Sequence, residues 1–85
     1  MSILRLHKSH DEYVMFSVKV YRDRAELMDQ CNAPANAEVW RATADALCRA
    51  LNAEDLHFAL FEELQAATHP DMRSAISLTL QKIQL

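Results

Sequence analysis

Residues 12–30, EYVMFSVKVYRDRAELMDQ, decide the fold, because they carry two incompatible periods at once. Val14, Phe16, Val18 and Val20 alternate, and Val and Tyr favour strands. Wound as a helix, the same stretch gathers Glu12, Lys19, Arg22, Asp23, Glu26, Asp29 and Gln30 on one arc. Val14, Val18, Tyr21, Ala25 and Met28 then lie opposite, flanked by Phe16, Val20 and Leu27, and only Met15 intrudes on the polar side. One helical register explains nearly every charge from 12 to 30, so the stretch is predicted to be a helix. Its start is placed at the capping box Ser9-His10-Asp11-Glu12 and its end near Cys31, behind a short extended N-terminal arm. The competing version pairs residues 3–7 with 13–21 as an N-terminal β-hairpin, followed by three to four helices. A second capping box, Asp23-Arg24-Ala25-Glu26, would open the first of these.

Downstream the helical period is clearer. Asn32-Ala33-Pro34-Ala35-Asn36 reads as a connector, with Asn36 as an N-cap. In 37–51, Val39, Trp40, Thr43, Ala46, Leu47, Ala50 and Leu51 face inward, and Glu38, Arg41, Asp45 and Arg49 form an outer ladder. In 53–67 the stripe is Leu56, Leu60, Leu64 and Ala67, with Asp55 in the first turn. Pro70 opens a final helix over 70–84 with Met72, Ala75, Ile76, Thr79, Leu80 and Ile83 inward. Glycine is absent where average usage predicts roughly six. Hairpins, phosphate-binding loops and strained catalytic turns lean on glycine for positive φ, so its absence favours helices with short connections. Asn32 and Asn52 stand where a left-handed helix end is wanted. The expected fold is therefore all-α, a small irregular bundle of three to four helices.

With 85 residues, half of them hydrophobic, the chain fits one domain, 1–85. Cys31 and Cys48, 16 residues apart, read as buried thiols in a reducing compartment, not as a bridge or half a zinc site. No apolar run approaches the ~20 residues that cross a bilayer, and the first residues do not resemble a secretory signal. A cytoplasmic protein is expected.

Residues that could carry chemistry are scattered. His7 and His10 straddle the expected helix start, His57 and His69 are isolated, and zinc sites need three or four ligands at fixed spacings. Glu62 and Glu63 point about 100° apart on a helix, the serines lack a nucleophile-elbow context, and Cys48 has no histidine neighbour in sequence. No catalytic residue, cofactor site or metal site is assigned, and the chain is expected not to be an enzyme.

Charge and surplus apolar residues carry more. The net charge is −3, but between Arg49 and Arg73 there is no Lys or Arg, while Glu54, Asp55, Glu62, Glu63 and Asp71 fall there. Phe58 and Phe61 lie with Glu54 and Gln65 away from the leucine stripe, and Leu78 and Leu85 lie off the stripe of the last helix. A helix apolar on two sides is central in its bundle or half of an interface. The expected role is a small acidic protein-binding regulator, adaptor or inhibitor. Such chains occur among bacterial and phage proteins such as immunity proteins, antitoxins, secretion cochaperones and phage inhibitors. Its binding surface would comprise Glu54, Asp55, Phe58, Phe61, Glu62, Glu63 and Gln65, and would suit a basic partner; a homodimer is also open. The alternative is a dimeric helix-turn-helix DNA-binding regulator built on 37–51 and 53–67, with Arg5, Lys8, Lys19, Arg22 and Arg24 gathered for phosphates. A recognition helix with carboxylates and no Lys or Arg repels that backbone, which ranks nucleic acid below protein.

Overall fold

A computed structural model describes the backbone of residues 3–83 and the side chains of residues 10–83. Four helices and no strand are present among the described residues: α1 (Ile3–Gln30), α2 (Pro34–Leu51), α3 (Leu56–Ala66) and α4 (Pro70–Ile83). Residues 13–21 are helical throughout, so the N-terminal hairpin and its second capping box at Asp23 are excluded. The physical reason is the helical wheel. Val14, Ser17 and Val18 are buried while Phe16 is 62% exposed, whereas alternation would put Phe16 on the buried face with Val14 and Val18 and turn Ser17 away. The helical bound at Ile3 also puts Ser9 inside α1 instead of at its cap. It takes in residues 3–8, so helix stands where a short extended arm was expected; of the side chains, those of residues 1–9 lie outside the described residues.

The α1–α2 corner is made by Asn32, the one described residue at positive φ, at 59°. The Ala33 amide donates to the Met28 carbonyl (2.8 Å) and the Asn32 amide to the Asp29 carbonyl (3.1 Å), the paired bonds of a Schellman motif. Asn32→Val is expected to cost about 1–2 kcal/mol in thermal unfolding, because a β-branched residue resists that conformation, while Asn32→Gly keeps stability or raises it.

α2 starts three residues earlier than an N-cap at Asn36 would place it. Pro34 takes the first turn, where its fixed φ suits the helix and its missing N–H is no loss, and Ala33 is an N-cap without a side-chain bond. Asn52 ends α2 in the right-handed region, not the left-handed one, and donates from its side chain to the Cys48 carbonyl at 3.0 Å. α3 begins at Leu56, three residues later than expected. Asp55 is its cap, accepting from the Phe58 amide at 3.1 Å.

The core gathers one stripe from each helix: Val14 and Val18, then Ala44, Ala46, Leu47 and Ala50, then Leu60, then Ile76, Leu80 and Ile83. Ala25, Ala37, Ala44, Ala46 and Ala50 are at most 1% exposed. Small side chains at so many buried positions let backbones approach closely, which is how so few large residues close a core. The three buried hydroxyls are each satisfied four residues back, Ser17 by the Tyr13 carbonyl, Thr43 by Val39 and Thr79 by Ala75, at 2.8–3.1 Å. A buried hydroxyl without such a partner would cost about 1–3 kcal/mol.

Between α1 and α2, Tyr21 and Trp40 stack with ring centroids 5.4 Å apart, and the Arg24 guanidinium lies 4.9 Å from the Trp40 ring. Burial, helped by the neighbouring Tyr13, pushes the Tyr21 hydroxyl pKa up against the pull of Arg24. Neither cysteine is buried as expected. Cys31 is exposed past the end of α1 and Cys48 is half-buried, and both are free thiols. Cys31 falls at a helix exit that no other element covers, which its spacing to Cys48 could not reveal. Leu85 lies outside the described residues.

Candidate protein-binding surface

α3 is only 11 residues long and buries a single residue completely, Leu60. At about 100° per residue, the side opposite Leu60 carries Phe58, Phe61, Glu62 and Gln65. All four are exposed, Phe58 at 59% and Phe61 at 50%. Two half-exposed aromatic rings on one turn are not a residual of packing. The Leu56, Ala59 and Leu64 side already closes the helix onto the core. Glu54 and Asp55, both exposed, sit at the N-terminal end of this face. The structure thus brings together Glu54, Asp55, Phe58, Phe61, Glu62 and Gln65 as one acidic, aromatic surface.

Glu63 does not belong to it. It lies on the inner flank of α3, half-buried, and its two carboxylate oxygens accept from Arg49 Nε and Nη2 on α2 at 2.9 and 2.8 Å. The hydrogen bond from Arg49 holds the Glu63 carboxyl below the usual carboxylate range, against the opposing effect of burial, and raises Arg49 in return. Sequence grouped Glu62 with Glu63 by adjacency, but one step along a helix separates a solvent-facing carboxylate from one that ties two helices together. Arg41 is likewise spent on Asp29 of α1, so two members of the outer ladder on α2 serve neighbouring helices.

Glu63 has a depressed pKa in the folded chain, so its contribution is present above the ordinary carboxylate range and is lost as pH falls through it. Arg49 is largely exposed, which screens the pair to about 0.5–1 kcal/mol. Glu63→Gln is expected to lower the free energy of unfolding, read from urea titration, by that amount at neutral pH. As pH falls through the folded-state range of Glu63, which lies below the free glutamate value, the two proteins converge. An unchanged difference across that range would mean that packing, not charge, links α2 to α3.

Sequence missed one cross-helix meeting. His10 of α1 and His57 of α3 approach edge-to-face with ring centroids 5.8 Å apart, and His57 Nε2 lies 3.1 Å from the Ile83 carbonyl. A groove of about 390 Å³ runs beside them, bordered by Asp11, Glu54 and Asp55. No group of three or more metal-ligating side chains stands together among the described residues, and none of their helices is long and apolar enough to cross a membrane. A second, larger groove of about 640 Å³ lies between α1 and α2, floored by Met15, Val18 and Leu51, where Arg22 Nη2 stands 4.0 Å from Cys48 Sγ.

Compared with protein-family models, with curated proteins and with solved structures, the chain matches none of them. Function is therefore read from surface chemistry.

Proposed function

We propose that this chain is a non-catalytic protein-binding regulator, adaptor or inhibitor that docks through the outer face of α3. The observation that carries the reading is the exposure of Phe58 and Phe61 on a helix whose core contacts are already complete. Aromatic side chains contribute most to binding when a partner desolvates them at the centre of an interface. Here they are bordered by Glu54, Asp55 and Glu62, with no Lys or Arg between residues 49 and 73 to neutralise the field. The complementary partner carries an apolar pocket in a basic rim, and the charges hasten encounter and select orientation more than they add affinity. The same charges oppose the helix-turn-helix reading. In that arrangement α3 would enter the major groove, and it presents aromatic rings and carboxylates there.

Phe61→Asp is expected to abolish affinity capture of the partner from native lysate while the far-ultraviolet circular dichroism stays that of the wild type. The same loss from Leu78→Asp, on the outer side of α4, would move the docking face off α3 and overturn the proposal. Salt-dependent binding of duplex DNA by the pure protein would overturn it in favour of nucleic acid.

A further inference from the structure

α1 carries a second unpartnered face, distinct from the α3 surface. Its core side is Val14, Val18 and Ala25. Nearly opposite, at three- and four-residue steps, stand Phe16 at 62% exposure, half-buried Val20 and Leu27 at 52%. These positions fit a heptad seam, with Val20 and Leu27 at one of the two seam positions and Phe16, Asp23 and Gln30 at the other. Lys19 and Glu26, both exposed, fall on one flank of the seam, and Arg24 on the other.

We infer that this face is closed by a second copy of the chain, α1 against α1, running antiparallel. Charge selects both the occupant and the direction. In antiparallel helices, residues face each other when their numbers sum to a constant. Setting Phe16 against the partner's Leu27 sets Val20 against the partner's Asp23. On the flank, antiparallel helices set the same heptad position against itself. This register leaves Lys19 and the partner's Glu26 two residues, about 3 Å, from level. That is within reach of their long side chains, and the two-fold axis repeats the pair. Asp23 is then bordered by the partner's Lys19, so the one carboxylate in the seam has a cation beside it. A parallel pair would stack Asp23 on the partner's Asp23 and set Lys19 beside the partner's Arg24, two like-charge meetings in place of two opposite ones. The seam is short and its centre is partly polar, so the dimer dissociates readily. The α3 surfaces stay free, and the dimer would present two of them.

Sedimentation equilibrium of the full chain over a concentration series tests this. Reversible dimerisation is expected, and Leu27→Glu weakens it by at least roughly tenfold with unchanged circular dichroism. Lys19→Glu and Glu26→Lys each weaken it by about tenfold, and the Lys19→Glu/Glu26→Lys double variant restores it. A monomer at every soluble concentration overturns the inference. So does a dimer that ignores Leu27→Glu, or one that dissociates only on Phe58→Asp or Phe61→Asp. A dimer tightened by Lys19→Glu is parallel, since the new carboxylate would meet the partner's Arg24, and that result overturns the antiparallel assignment.

Discussion

Leu60→Asp is expected to leave the chain unfolded, while Phe61→Asp, one residue away and the same in kind, leaves it folded. Leu60 is fully buried at the centre of the inner face of α3. Removing its side chain forfeits about 2–5 kcal/mol of packing. A carboxylate in its place must either stay ionised without a partner or be protonated, which adds several kcal/mol. A chain of this size has about 4–13 kcal/mol in all, so the sum consumes most or all of it. Phe61 is half-exposed, and an aspartate there keeps its water. What is lost is the covered half of one ring and a little helix propensity, about 1 kcal/mol together. Circular dichroism and urea unfolding of the two proteins separate these outcomes by several kcal/mol. Comparable destabilisation by Phe61→Asp would mean that the ring acts as core, and the docking face on α3 would go with it.

The inward stripes were legible because burial is written as a period. Val14, Val18 and Ala25 on α1, Leu47 on α2, Leu60 on α3 and Ile76 on α4 were all placed inside from spacing alone, and all are buried. The helix starts were less legible, since Ser9, Asp23 and Asn36 each have a side chain that can cap. Asn36 lost to Pro34, which tolerates the first turn better than most positions, and α1 continues through Ser9 and Asp23 because the buried face continues through them. Of the surface grouped on α3, Phe58, Phe61, Glu62 and Gln65 follow from helical geometry. The exit of Glu63 does not, because it depends on where Arg49 of another helix stands. The meeting of His10 with His57 was hidden for the same reason, as 47 positions of chain separate them and only tertiary packing brings the rings together.

The second large effect concerns volume on α2. Leu47→Ala is expected to cost about 2–5 kcal/mol and Ala44→Leu about 1–3 kcal/mol, although one removes carbon from the core and the other adds it. Leu47 has no exposed surface and belongs to the cluster that joins all four helices, so its loss leaves a cavity that α1, α3 and α4 cannot collapse together to fill. Ala44, also without exposed surface, lies on the side of α2 that carries Trp40, Arg41 and Cys48 toward α1. A leucine there must push α1 away, which unstacks Tyr21 from Trp40 and draws Asp29 from Arg41. Differential scanning calorimetry should show both variants melting lower, Leu47→Ala by about 10 °C or more, since 1 kcal/mol shifts a domain of this size by roughly 4–8 °C. The signatures then diverge. Only Ala44→Leu should change the tryptophan fluorescence of the folded state, Trp40 being the single tryptophan and stacked at that contact. If Ala44→Leu proves neutral by both measures, α1 and α2 have room between them, and close approach through small side chains does not hold the pair together.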